Sequence, residues 1–264
     1  MNRTKIKRTL LKALKDAGKI LKASIGQRQI SAKKSELSLV TPTDGEAEKI
    51  ILETIRAEFP NHAFLMEESG KSGMPSDFRW IVDPLDGTNN FAHTYPVACV
   101  SIALEEKGSL EFGGVLDPFR DELFFAEKGN GATLNGEPIT VSHNPSLAES
   151  LLATGFPYDR REKMEEYLPI FKAFTLKVQG IRRVGAAALD LCYVACGRFD
   201  GYWEVKLNPW DKAAAKLILE EAGGSLSNFL GEPLTLEDPQ NVASNGFIHG
   251  EMLEVLKPFC NVGK

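Results

Sequence analysis

The sequence predicts an α/β (α+β layered) fold, on three observations. Apolar residues recur at helical spacing near the start and again in the later half. From residue 63 to about 141 the pattern is instead short apolar runs separated by Gly, Pro, Asn and Asp. No internal repeat, low-complexity tract or long linker interrupts the 264 residues, so the layers form one unit, 1–264. A soft division falls near Asn144-Pro145, giving halves 1–144 and 145–264.

The elements follow in order. Ile6, Leu10, Leu14, Ala17 and Leu21 fall on one face of a first helix. Residues 27–42 are polar and aperiodic and read as a loop. A second helix starts at Asp44, capped by Thr43 or Asp44, continues through Ile50, Ile51, Leu52 and Ile55, and ends near Phe59-Pro60. Strands are expected at 64–66, 80–82, 97–104, 113–116, 123–126 and 151–154. The later half then alternates: helix 162–174, strand 178–182, helix 186–196, strand 202–204, helix 209–222 and helix 250–256.

Composition sets limits on function. Hydrophobic residues make up 43% and charged residues 25%, a globular balance that excludes disorder, and the net charge of -5 gives no overall basic footprint for nucleic acid. The charge is uneven: residues 1–34 carry eleven of the 31 basic residues and, at Asp16, one of the 36 acids. The plain reading is a solvated first helix with lysines on its wet face; an organellar presequence or a membrane-surface helix shares the pattern. Lysines interrupt every apolar run that a secretory signal would need, and none approaches the roughly 20 residues that span a bilayer. Cys99, Cys192, Cys196 and Cys260 make no disulfide framework at this length. Cys192 and Cys196 lack a second ligand pair and read as buried thiols in a reducing cytoplasm rather than a zinc site.

The chemistry sits at the ends of elements. An apolar strand, Trp80-Ile81-Val82, runs into Asp83; Pro84 stiffens its exit and Asp86-Gly87 turns the chain. Phe64-Leu65-Met66 leads into Glu67-Glu68, and Asn208-Pro209-Trp210-Asp211 opens a helix with an acid at its positive end. Singly, Asp83 and Asp86 are turn residues; together, four acids would repel unless cations sat between them. Their hard oxygens suit Mg²⁺, Mn²⁺ or Ca²⁺. Two such ions can clamp the attacking and leaving oxygens of a phosphoryl transfer.

Three segments carry a family likeness: Glu67-Glu68-Ser69; Trp80-Ile81-Val82-Asp83-Pro84-Leu85-Asp86-Gly87-Thr88-Asn89-Asn90-Phe91; and Trp210-Asp211 ahead of Glu221-Ala222-Gly223-Gly224. Together they resemble the inositol monophosphatase family, over roughly residues 17–256. The resemblance implies a five-layer αβαβα sandwich, a homodimer, a metal-motif half and a substrate-lining half. It also implies Mg²⁺-dependent hydrolysis of a phosphomonoester by a metal-activated water, with inositol monophosphate as first choice. Lithium sensitivity is common among such phosphatases. By the same resemblance, Glu67, Asp83 and the Leu85 carbonyl hold one ion, and Asp83, Asp86 and Asp211 a second. A third, weaker ion uses Glu67 and water. Thr88, hydrogen-bonded toward Asp44, orients and helps deprotonate the water.

Substrate contacts carried over are Asp86, Gly87, Thr88, Gly185, Ala186, Ala187, Glu204 and Asp211, with Lys33 or Lys34 as a loop lysine near the third metal. Ala186 stands where Ser or Thr is common, which removes one hydroxyl contact. Arg182-Arg183 and Ala188-Leu189-Asp190 resemble the bacterial branch more than the animal one. Within the same fold the substrate could instead be fructose 1,6-bisphosphate, a nucleotide 3′-phosphate, NADP or histidinol phosphate. An alternative of another class is a regulatory protein that binds protein or RNA, through the basic first helix for instance.

Competing motifs fail on spacing. Gly70-Lys71-Ser72 lacks the P-loop glycine five residues earlier, where Leu65 stands. The haloacid-dehalogenase signature needs its second Asp two residues after the first, not three. There is no Gly-x-Ser-x-Gly elbow, and His93 reads as a loop or interface residue.

Overall fold

The computed structural model describes residues 2–26, 32–33 and 39–263, with backbone alone for 32–33. Helix α1 (Arg3–Ser24) buries Ile6, Leu10, Ala13, Leu14, Ala17 and Leu21 along one face, and the Asn2 side chain accepts the Lys5 N–H to cap it. The stretch read as a loop contains two short antiparallel strands, β1 (Ala32–Lys33) and β2 (Leu39–Val40). Strands of two residues carry no periodicity to detect. The side chain of Lys33, and Lys34 altogether, lie outside the described residues.

Helix α2 (Pro42–Glu58) starts two residues before the expected Asp44. Pro42 takes the first helical position and Thr41 caps it, so Asp44 is not the cap but the third residue of a reciprocal capping box.

The first sheet comprises β3 (Ala63–Met66), β4 (Gly70–Ser72), β5 (Phe78–Asp86), β6 (Cys99–Glu106), β7 (Ser109–Asp117), β8 (Glu122–Glu127), β9 (Ala132–Leu134) and β10 (Glu137–Ile139). Its order is β10-β9-β8-β7-β6-β5-β3-β4, with β3 and β5 parallel and the other neighbours antiparallel. A short α3 (Thr88–Ala92) follows β5.

The second sheet comprises β11 (Leu151–Thr154), β12 (Gly180–Arg182), β13 (Gly201–Val205), β14 (Ser225–Ser227) and β15 (Gln240–Ser244), in the order β12-β11-β13-β15-β14. The remaining helices are α4 (Arg160–Thr175), α5 (Ala187–Ala195), α6 (Pro209–Glu221) and α7 (His249–Leu256).

Alternation along the strands sorts the core into three layers of packing and produces the five-layer αβαβα sandwich. Trp80, Val82, Ile102 and Phe112 meet α1 and α2 on one face of the first sheet. Ile81, Ala103, Val115 and Phe124 meet α5 and α6 on the other, and so do Ala153, Tyr202 and Ala243 of the second sheet. Leu152, Trp203 and Val242 face the opposite way, against Ile170 and Phe174 of α4 and Met252 and Leu256 of α7.

Strand β15 was invisible to hydropathy because three of its five residues are polar, yet all five are buried. Hydrogen bonds satisfy them: Gln240 Nε2 donates to the carbonyls of Cys260 and Val262, and the Asn241 side-chain oxygen accepts from Lys212 Nζ at 3.0 Å. Cys192 is buried as expected, whereas Cys196 is only half-buried. Among the described residues no helix is long and apolar enough to cross a membrane.

Leu14 is fully buried between α1 and the first sheet, far in sequence from the acids. Leu14→Ala is expected to lower the unfolding free energy by about 2–5 kcal/mol, measured by denaturant titration. A change below about 1 kcal/mol, typical of an exposed site, would contradict this packing.

Candidate active site

A recess of about 350 Å³ opens where the parallel strands β3 and β5 end. Glu67, Asp83, Leu85, Asp86, Gly87, Thr88 and Asp211 line it, together with Gly185, Ala186, Ala187 and Glu204. Asp44, singled out by sequence, does not line the recess but is buried behind Thr88.

Two acids three positions apart on a regular strand would face opposite ways. Here the ladder to β6 slips between Asp83 and Asp86: Asp83 pairs with Ser101 and Asp86 with Cys99, so three steps on β5 match two on β6. Pro84 has no N–H to give the ladder, which makes this the place for an extra residue. The bulge turns both carboxylates toward the α5–α6 layer. Gly87 then reverses the chain at φ +92°, and a Cβ there would lie 2.9 Å from the Val97 carbonyl oxygen.

The turn is held from within. Asp83 Oδ1 accepts the Leu85 N–H at 2.9 Å. The Thr88 hydroxyl lies 2.9 Å from the Leu85 carbonyl oxygen and 3.1 Å from Asp44 Oδ1, both acceptors that share its one proton. Asp44 is fixed in turn by Thr41, whose N–H and hydroxyl donate to Oδ2 at 2.7 and 2.6 Å.

Asp86 also organises the start of α5. Its Oδ2 accepts the Ala188 N–H at 2.7 Å, so a carboxylate 102 positions away caps α5. Ala186 is the N-cap residue and brings no hydroxyl of its own. Asn90 adds a second stitch, donating from Nδ2 to the carbonyls of Val97 and Val184, each at 2.9 Å.

Glu204, near the end of β13, lies over Gly155, where a Cβ would sit 2.0 Å from its Oε2. The Tyr202 hydroxyl donates to the same oxygen. Asp211 enters from the first turn of α6, where its Oδ2 accepts the Asn208 N–H at 2.7 Å.

Burial and mutual repulsion push these acids upward. Burial raises the Asp83 carboxyl well above its ordinary value, and Glu67, Asp86 and Asp211 add to it. Burial lifts Asp86 to about 6 against the Ala188 N–H, which lowers it. Asp211 is raised well above its ordinary value by burial and then by Asp86. Burial lifts Glu204 to about 7 and raises Asp44.

The donors are carboxylates and one carbonyl, a set suited to a hard divalent cation and unsuited to a soft one. Among the described residues no group of three or more His, Cys, Asp or Glu is drawn close enough to cage an ion. The acids form an open array, which fits Mg²⁺, an ion that takes one or two protein carboxylates and leaves room for water and phosphate.

Sequence reasoning missed Thr41, Asn90 and Asp86's role as a cap. Thr41 was open to detection, since Thr41-Pro42-Thr43-Asp44 has capping-box spacing. It also missed Tyr158, Lys206 and Asp159 at the rim, where Lys206 and Asp159 form an ion pair. Arg183, noted only as a branch marker, lines the recess.

A profile described as the inositol monophosphatase family matches residues 2–259. An inositol-1-monophosphatase of Synechocystis sp. is 50% identical over 230 residues, spanning 87% of this chain and 80% of that protein. A protein of Pseudomonas aeruginosa named Nus factor SuhB is 42% identical over 255 residues, 94% of each chain. The structure of inositol monophosphatase from Anabaena (Nostoc) sp. PCC 7120 superposes with a TM-score of 0.88 at 43% identity, covering 98% of this chain and 97% of that one. The chain belongs to the inositol monophosphatase family.

Proposed function

We propose that this protein hydrolyses a small phosphomonoester, inositol monophosphate first among them, to the free alcohol and phosphate. The observation that carries the reading is the gathering of Asp83, Asp86 and Asp211 with Glu67 at one recess, beside a Thr88–Asp44 pair. Mg²⁺ held by Glu67, Asp83, the Leu85 carbonyl, Asp86 and Asp211 would supply Lewis-acid polarisation and acidify a water.

The chain's own residues do the rest. The Thr88 hydroxyl can pass its own proton to Asp44 as its lone pair accepts one from the attacking water, so the hydroxyl is regenerated and the proton ends on the Asp44 carboxylate. Glu204 and the Gly185–Ala187 backbone, which line the same recess, offer acceptors and donors to a polyol, and Glu204's raised carboxyl can donate or accept near neutrality. We further read the protein as a cytoplasmic homodimer, by family likeness.

A regulatory role alongside catalysis draws support from the Pseudomonas relative's name. The basic first helix supports it less: Arg3, Lys5, Arg8, Lys12, Lys19 and Lys22 are all in ion pairs with acids.

Phosphate release measured with and without Mg²⁺ on inositol 1-phosphate, fructose 1,6-bisphosphate, a nucleotide 3′-phosphate, NADP and histidinol phosphate tests the reading. Turnover only with Mg²⁺ is expected, fastest on inositol 1-phosphate; no turnover on any of the five refutes it. Asp83→Asn should cut kcat about a thousandfold, the equivalent of several kcal/mol of lost charge stabilisation.

The raised acids also set a pH dependence. Asp86 and Glu204, at about 6 and about 7, bind protons more tightly folded than unfolded. Their contribution to stability is therefore complete below their unfolded values, near 4, and is lost as pH rises through 6 and 7. Calorimetry of metal-free protein should show Tm falling between pH 5 and 8, with Mg²⁺ raising Tm more at pH 8 than at pH 5. A larger Mg²⁺ effect at pH 5 would contradict the assignment.

A further inference from the structure

Glu67 does not sit inside a strand. Its N–H makes the last rung of the β3–β5 ladder, donating to Val82 O at 3.1 Å, and the chain then leaves the sheet. Met66 pairs with Gly70 across the β3–β4 hairpin, so Glu67, Glu68 and Ser69 form its three-residue turn. How this turn is held therefore bears on where the Glu67 carboxylate points.

Glu48 fixes it. Its carboxylate is buried, 6% exposed, and bridges two consecutive backbone donors: Glu68 N–H to Oε2 at 2.9 Å and Ser69 N–H to Oε1 at 3.0 Å. A buried carboxylate is costly without compensation, and here charge-assisted bonds from the turn's amides provide it. Glu48 lies one helical turn after Asp44 on α2, so both project from the same face. Through Asp44 that face holds Thr88 after β5; through Glu48 it holds the turn after β3. One helix thus sets the spacing between the two strand ends that line the recess.

We propose that Glu48 is a positioning residue: by clamping the Glu68 and Ser69 amides it aims the Glu67 carboxylate at the cation-binding array. This rests on the reading of Glu67 as a cation ligand given above. Nothing in the role requires Glu48 to touch ion or substrate.

The test uses the full-length protein as wild type, Glu48→Ala, Glu48→Gln and Glu67→Gln. Mg²⁺ affinity is measured by isothermal titration calorimetry, stability by Tm, and the Glu68 and Ser69 amides by ¹H–¹⁵N NMR. Removing an outer hydrogen-bond partner of a metal ligand costs about tenfold or more in metal affinity. That loss is expected in Glu48→Ala, out of proportion to its fall in Tm, with upfield-shifted and faster-exchanging Glu68 and Ser69 amides and turnover restored at saturating Mg²⁺. Glu48→Gln, which keeps one acceptor oxygen and the side-chain volume, should fold normally and lose less affinity. Weakened Mg²⁺ binding in Glu67→Gln with unchanged affinity in both Glu48 variants overturns the positioning role alone. Unchanged affinity in Glu67→Gln removes the ligand reading of Glu67 and this proposal with it.

Discussion

Like-charge crowding at the end of β5 is the constraint on which the rest of the structure turns. Asp83 is almost wholly buried, and the neighbours acting on it are Glu67, Asp86 and Asp211, all acids. Carboxylates so placed would separate or take up protons unless the backbone held them and a cation answered them. Asp83, Asp86 and Asp211 accept the Leu85, Ala188 and Asn208 amides respectively, so none can relax without disturbing a turn or a helix start.

The holding devices are local and cheap in sequence. A single proline in β5 slips the ladder by one residue and brings two acids to one face. Two helices, α2 and α6, open with the same arrangement: a polar cap, a proline at the first position and an aspartate at the third. In α2 the aspartate serves Thr88; in α6 it enters the recess. Asp86 ties the first sheet to the start of α5, whose Ala187 also lines the recess. The five-layer sandwich delivers all of these to one opening because α5 and α6 lie between the two sheets.

Much of this was readable from residues. The acids after Phe64-Leu65-Met66 and the Asn208-Pro209-Trp210-Asp211 start put Glu67 and Asp211 at element ends, and the structure has them there; Asp83 and Pro84, expected at a strand's exit, lie inside β5, which runs on through the bulge to Asp86. What local patterns could not carry was anything decided at long range. Gln240, Asn241 and Ser244 look like loop residues until Cys260 and Val262, Lys212, and His249 respectively supply their partners. Ala186 looks like a lost contact until Asp86 supplies the cap. The second helix was started late because Asp44 resembles an N-cap; the Pro42 that precedes it fits better inside the first turn than in the loop. Glu204 was placed by family likeness, and its position over Gly155 follows from β11 and β13 lying side by side.

The central claim is that the four acids are a cation-binding array. Crystals soaked in Mn²⁺, with data collected for anomalous scattering, test it most directly. The account predicts at least one strong anomalous peak within ligating distance of Asp83, with Glu67, Asp86 or Asp211 as a second ligand, and its loss in Asp83→Asn. A map with no peak at the recess, or an equal peak in the variant, would contradict it.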